Sequence, residues 1–517
     1  MNGVQILLIV GVGIAVSAIA RKRHIEPGLI IVVLAAGASF IPGVPRLELD
    51  SELILAVVVP PLLYSATRGS SFSGFGANLR AITTLGVVLV LLTAGALGLV
   101  AQWLLPSIGV AAAFVLGSVL APPDTITTVS HGDEIGLPQR VTTILTGESL
   151  VNDATALTLF TIAVGAVNGE HTSWRGGTVD LLRNAVVGLA IGALLAVVAL
   201  WIRKRLGNPT LETSLVLLVP FTAFLAAEQA HASGILAVVA AAFGLSVNLT
   251  LDPKHQYPGA YRTRLQEEAF WPVVDFVLET FVFAYIGLQL KFVLQDLADS
   301  EQPGLVRTLV AAGVLLVVAI VFRMVVVYLL FGRWTLRLRL INRRLAKDPK
   351  FKDAYDVRRK RRTRRRGEPL DPPTTRETLL VGWTGMRGIL TLAAAAAIPE
   401  RTASGAPFPG RPAIQAIALI VTLGTLLIQG TTIGRAARLL KFDLAGERAE
   451  GERMRQLGRE IVAEAATADP AADMDSSFDA QRKALGQAVM ERRLPEETAR
   501  DLIEDLDLRQ AAQHTPS

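Results

Sequence analysis

Gly147-Glu148-Ser149-Leu150-Val151-Asn152-Asp153 puts several polar side chains on adjacent helical turns, and an apolar run from Ala154 to Val167 follows at once. The run is long enough to finish a membrane span, so Glu148, Asn152 and Asp153 are expected inside the bilayer. A carboxylate there costs about 2.5 kcal/mol or more at the helix centre, which is why intramembrane acids usually have a function. Helical spacing sorts the group. Ser149 and Asp153 share one face, and Glu148 and Asn152 share the neighbouring face. One face offers oxygens to a cation; the other needs a partner. The alternative is a soluble helix start capped by Ser149 or Asn152, and the rest of the chain speaks against it.

Of the 517 residues, 51% are hydrophobic and 19% charged, with a mean hydropathy of +0.45. A soluble protein of this length carries more charge. Apolar runs recur along the first 440 residues, which predicts an all-α polytopic membrane protein. There is no cysteine, so disulfide and thiolate chemistry are excluded. His24, His131, His171, His231, His255 and His514 are scattered, and no zinc site is expected.

The pattern predicts thirteen spans, near 4–20, 27–41, 52–66, 81–105, 109–130, 141–167, 184–202, 211–230, 233–248, 270–290, 305–331, 377–398 and 413–435. The first lacks a basic leading region and a small-x-small cleavage site, so it is taken as a span and not a signal peptide. Alternate loops hold most of the Lys and Arg, including Arg21-Lys22-Arg23, Arg203-Lys204-Arg205 and the run from Arg333 to Arg376. The positive-inside rule puts those loops in the cytoplasm, with the N-terminus outside and the C-terminus inside. Three regions follow: a membrane domain at 1–440, a basic cytoplasmic loop at 332–376, and a polar, partly helical cytoplasmic tail at 441–517. The net charge of +6 and the run Arg358-Arg359-Lys360-Arg361-Arg362-Thr363-Arg364-Arg365-Arg366 fit anionic lipid headgroups better than nucleic acid, given the neighbouring spans.

Two further stretches carry polar groups into the membrane. Ala121-Pro122-Pro123-Asp124-Thr125 interrupts span five. The prolines remove helical hydrogen bonds and free nearby carbonyls, and transporters use such breaks to coordinate ions. Asp124 adds a second carboxylate. In span twelve, Gly382-Trp383-Thr384-Gly385-Met386-Arg387-Gly388 carries an arginine next to an apolar run. Arg387 must pair with a carboxylate or reach the interface. Glu148 needs a partner, and Arg387 is the candidate the sequence offers.

The signature at 147–153 resembles that of the cation/proton antiporters, in the sodium/proton exchanger branch that includes the prokaryotic NhaP type. Gly385-Met386-Arg387-Gly388 resembles the family's Gly-x-Arg-Gly, whose arginine pairs with the signature glutamate; the resemblance implies a structural Glu148–Arg387 ion pair. The family has an aspartate at the unwound part of span five, usually with proline after it; here Pro122 and Pro123 precede Asp124. Pro60-Pro61-Leu62-Leu63-Tyr64-Ser65 resembles a motif that usually has an acid where Ser65 stands. Glu228-Gln229-Ala230-His231-Ala232-Ser233-Gly234-Ile235, Glu279-Thr280 and Gly424-Thr425-Leu426-Leu427-Ile428-Gln429-Gly430 resemble further family segments. Asp275, Glu279, Glu228 and His231 fit funnel, pH-sensing or packing roles alike.

The resemblance implies an inverted-repeat antiporter fold, with two broken helices crossing in a core domain, a separate dimerisation domain and a homodimer. The implied activity is exchange of Na+, with Li+ or K+ as further candidates, for H+ by alternating access. A K+/H+ antiporter of the same fold is the alternative, and a cation channel a more distant one. Asp153, Asp124, Ser149 and carbonyls near Pro123 supply the oxygen ligands a hard monovalent cation favours, with Asn152 holding the break. No resident cofactor is expected. An enzyme is not expected either, because a Ser149–Asp153 pair without a placed histidine makes a poor nucleophile. The signature of the electrogenic branch has two adjacent aspartates. Asn152 stands in the first position here, which implies electroneutral one-for-one exchange, because an amide carries no proton.

Overall fold

The computed structural model describes residues 3–23, 27–42, 44, 56–125, 137–169, 174–251, 259–298, 303–347, 355, 373–442, 444–468 and 473–513. The described residues are overwhelmingly helical and form two compact units. Most of the basic loop, including its run at 358–366, lies outside them.

Unit 1 takes residues 1–54, 74–177 and 279–442. It contains α1 (Gly3–Arg23), α2 (Pro27–Ser39), α4 (Phe72–Thr83), α5 (Val90–Leu104), α6 (Val110–Leu120) and α7 (Gln139–Val167). Later in the chain come α12 (Leu305–Lys347), α13 (Thr375–Trp383), α14 (Ile389–Ala396), α15 (Arg411–Thr425) and α16 (Thr431–Leu440). The core joins Leu97, Leu116, Leu120, Phe160, Leu315 and Ile417, drawn from five helices. Two helices break inside this packing. α6 stops at Leu120, where Pro122 and Pro123 cannot donate to a helical ladder. α13 begins with a Thr374/Glu377 capping box and ends at Trp383, and the chain is non-helical to Gly388 before α14 starts. π-helical segments at Thr84–Leu89 and Leu426–Gly430 interrupt two further helices, a feature that recurs at functional sites.

Unit 2 takes residues 55–73, 178–278 and 443–517. It contains α3 (Val59–Arg68), most of α8 (Trp174–Leu206), α9 (Pro209–Gln229), α10 (Gly234–Thr250) and the first half of α11 (Ala260–Ala298). Gly188 and Gly192, one turn apart on α8, lie against the Ser233 and Ala237 carbonyls; a Cβ at either would overlap them, so only glycine lets these helices approach so closely. Asn208 caps α9 by accepting from the Thr210 and Leu211 amides. Three tail helices, α17 (Ala445–Thr467), α18 (Met474–Met490) and α19 (Glu496–Gln513), enclose Ile461, Phe478, Leu485, Leu502 and Ile503 in a cluster that also takes in Leu251.

Among the described residues, seven helices are long and apolar enough to cross a membrane, and four shorter apolar helices coincide with further expected spans. The remaining two expectations, at 52–66 and 377–398, fall on the ten-residue α3 and on the interrupted α13–α14. The chain is a multi-pass helical membrane protein.

Candidate functional site

The signature residues lie mid-way along α7. Glu148 and Asn152 are fully buried, Ser149 is nearly so, and Asp153 is half-buried. The neighbouring π-segment fits closely here. A Cβ on Gly86 would come within 2.7 Å of Val151 and 3.2 Å of the Asn152 nitrogen.

The two broken helices meet beside α7. The Asp124 amide donates to the Met386 carbonyl at 2.6 Å, so one break hydrogen-bonds directly to the other. Gly388 lies against the Asp124 carboxylate, and any Cβ there would overlap Oδ2. Asn152 Nδ2 donates to the Pro123 carbonyl at 2.8 Å, tying α7 to the first break. Thr125 Oγ1 donates to the Leu145 carbonyl at 2.8 Å and makes a second tie. Asp124 and Asp153 are close enough for their charges to repel. Among the described residues Asp153 has no ion-pair partner. Asn152 Oδ1 is buried with no hydrogen-bond donor.

The expected Glu148–Arg387 pair is corrected. Arg323, on α12, takes the Glu148 carboxylate with both arms of its guanidinium: Nη1 to Oε1 at 2.6 Å and Nη2 to Oε2 at 3.0 Å. This is the bidentate geometry in which arginine binds carboxylates best. Arg387 instead donates to the Leu120 carbonyl at 3.0 Å and the Gly385 carbonyl at 2.5 Å, both exposed by the breaks. The physical reason is supply and demand. Broken helices leave orphan carbonyls that need donors, and Arg387 sits in a break, whereas Arg323 sits on an intact helix facing α7. Arg387 stays within electrostatic range of Glu148. Sequence analysis passed over Arg323, although it is the one charged residue between Arg307 and Arg333 in an otherwise apolar run. That isolation was the available signal.

The segment with the second π-helix braces the other break. Thr425 Oγ1 accepts from the Arg387 amide at 3.0 Å, and Gln429 Nε2 donates to the Trp383 carbonyl at 2.8 Å. Of the other candidates, Asp275 accepts a hydrogen bond from Ser65 at 2.5 Å within unit 2. Glu228 and His231 sit at the turn between α9 and α10, where His231 takes a positive φ of 51°. Glu279 stands on α11, outside the crossing.

No cluster of His, Cys, Asp and Glu able to hold a resident metal occurs among the described residues. The crossing is a set of buried oxygens around two half-buried carboxylates, Asp124 and Asp153. That arrangement suits a weakly held monovalent cation or a proton.

The profile of the transmembrane sodium/hydrogen exchanger family matches residues 5–439. An uncharacterised Na+/H+ exchanger of Mycobacterium tuberculosis is 30% identical over 446 residues, covering 84% of this chain and 74% of that protein. The sodium, potassium, lithium and rubidium/H+ antiporter of Bacillus subtilis is 27% identical over 429 residues, covering 80% and 58%. The sodium proton antiporter MjNhaP1 from Methanocaldococcus jannaschii shares the fold, with a TM-score of 0.57 at 17% identity, over 85% of this chain and 98% of that one. The chain therefore belongs to the transmembrane sodium/hydrogen exchanger family.

Proposed function

We propose that the protein exchanges Na+, and also Li+ or K+, for H+ one for one, with Asp153 as the group that takes either ion. The observation that carries this is a difference between carboxylates of the crossing: Glu148 is held by Arg323, whereas Asp153, beside Asp124, has no ion-pair partner among the described residues. One carboxylate takes one proton or one monovalent cation, and holding both would place an excess positive charge in a low-dielectric site. Asp153, which has no arginine of its own, holds the exchanged ion. Ser149 and Asp124 supply further oxygens. Asn152 and Pro123 fix the break.

The remaining expectations form part of the same proposal. The chain crosses the cytoplasmic membrane thirteen times, with its N-terminus outside and its tail in the cytoplasm. It works as a homodimer by alternating access and contributes to pH homeostasis. Broad cation choice is supported by the cations named for the Bacillus relative, sodium, potassium, lithium and rubidium.

The test is exchange in proteoliposomes carrying an internal pH dye. Adding Na+ should collapse an imposed pH gradient. In liposomes clamped with potassium and valinomycin, the Na+-driven rate and endpoint should not follow the imposed voltage, although one net charge moved through 100 mV is worth about 2.3 kcal/mol. A rate or endpoint that tracks voltage would contradict one-for-one exchange and point to Asp124 as a second titrating group.

A further inference from the structure

We infer that the π-helical turn Leu426–Gly430, through Thr425 and Gln429, sets the cation selectivity of the exchange by fixing the second break. That break runs from Thr384 to Gly388, between α13 and α14. The turn holds it at both ends. At the near end the Trp383 carbonyl accepts the Gly385 amide at 2.8 Å, which closes a tight turn, and Gln429 Nε2 donates to the same carbonyl at 2.8 Å. At the far end the Arg387 amide donates to Thr425 Oγ1 at 3.0 Å. Between them Gly430 faces Met386, where a Cβ would lie 3.4 Å from the sulphur. Thr425 and Gln429 are both 0% exposed. Gln429 Oε1 is buried with no hydrogen-bond partner. A buried amide with one end unpaired is costly. A leucine would fill the same space without that cost, so the bond to Trp383 is what the glutamine is there to make. The π-turn itself is a departure from regular helix of the kind that recurs at functional sites.

The fixed break in turn fixes an oxygen of the crossing. The Met386 carbonyl accepts the Asp124 amide at 2.6 Å, and Gly388 lies against the Asp124 carboxylate. Residues 386 and 388 flank the one that Thr425 holds, so the path from the π-turn to Asp124 is short and lies wholly within unit 1. On the proposed function, on which this inference rests, Asp124 supplies oxygen to the cation that Asp153 holds. Li+, Na+ and K+ carry the same charge and differ in size. A site tells them apart by how far apart, and how rigidly, its oxygens are held. Such groups need placing to within about 0.5 Å. Thr425 and Gln429 act through the break and not as ligands. They are positioning residues, and loosening them blurs the choice among cations.

The test uses the full-length protein in proteoliposomes, with KM measured for Li+, Na+ and K+ at one pH. Gln429→Met keeps the side-chain volume and removes the donor. It should raise the lowest of these KM values by roughly three- to tenfold, the loss of one hydrogen bond, and leave the highest nearly unchanged, so the spread narrows. Thr425→Val strands the buried Arg387 amide and should narrow the spread further. Thr425→Ser keeps the hydroxyl and should stay within about twofold of the unsubstituted protein. A variant that is merely less stable loses maximal rate and keeps its KM ratios. Amide hydrogen exchange over residues 384–388 should quicken in Gln429→Met and Thr425→Val, a readout that needs no transport. If Thr425→Val fails to fold, Gln429→Met decides. The inference is overturned by equal KM values for the cations in the unsubstituted protein, or by unchanged KM ratios in folded Gln429→Met. Unaltered amide exchange at 384–388, or Thr425→Ser as damaging as Thr425→Val, overturns it too. No exchange of any cation by the unsubstituted protein would instead refute the proposed function, and selectivity would fall with it. Unchanged ratios in an otherwise active protein overturn the role of the π-turn alone.

Discussion

Acids pinned by arginine and acids left without one divide the buried carboxylates of the molecule. In unit 2 four acids are pinned by arginine, while half-buried Asp275 accepts from Ser65. Glu212 and Glu267 are held by Arg203 at 3.1 and 2.8 Å, Glu496 by Arg500, and Asp507 by Arg264 and Arg482. In unit 1 Glu148 is treated so, by Arg323. Asp153, five residues along the same helix, has no such partner among the described residues. A pinned acid is structural; burying it is tolerable only because its partner comes with it. An acid left beside another acid, with oxygens around it, can gain and lose a proton or a cation without unmaking the fold. On the proposed function, the difference separates the scaffold of the molecule from its working part.

The sharpest way to break this contrast is to neutralise the unpinned acid. Asp153→Asn should abolish Na+-driven exchange in the pH-dye assay while thermal stability is kept or raised, because no ion pair is lost. Near-normal transport by a correctly folded Asp153→Asn protein would remove Asp153 from the mechanism.

The pinned acid should respond the other way. Arg323→Ala strands Glu148, which is 0% exposed, and should cost about 3–5 kcal/mol of stability. Glu148→Ala should cost a similar amount, and the double variant should recover much of the loss. A cycle between Glu148 and Arg387 should show weaker coupling, since Arg387 spends its donors on carbonyls. Thermal unfolding in detergent reads both cycles. Stronger coupling of Glu148 to Arg387 than to Arg323 would reverse the assignment.

In unit 2 a graded loss is expected. Arg264→Gln leaves Asp507 with Arg482, so the cost should be only about 1 kcal/mol. Limited proteolysis of the tail should reveal it as earlier cutting around α17–α19, with the membrane helices intact. A collapse as large as that of Arg323→Ala would mean the tail anchors do not share the load.

The sequence made some of this legible and hid the rest for definite reasons. The long spans and the break at Pro122-Pro123 are local, because apolar length and missing donors act within a few residues. That Glu148 and Asn152 share one face of α7 follows from helical spacing alone. The partner of Glu148 did not follow. Two arginines, Arg323 and Arg387, stand far along the chain, and only the packing of α12 against α7 decides between them. The tail was legible as polar and helical. Its buried anchors were not, because Asp507 meets Arg264 across 243 positions and Glu496 meets Ser71 across 425. No pattern of mixed charge tells which members will be buried.

The central claim is that one carboxylate serves both ions, and the dependence of cation affinity on pH tests it most directly. The apparent KM for Na+ is to be measured in proteoliposomes across pH 6 to 8.5. If H+ and Na+ compete for Asp153, KM should rise as pH falls, approaching about tenfold per pH unit once the site is mostly protonated, while the maximal rate at saturating Na+ stays nearly constant. A KM that is flat across this range, with pH acting only on the maximal rate, would show that the two ions use separate sites and would contradict the account.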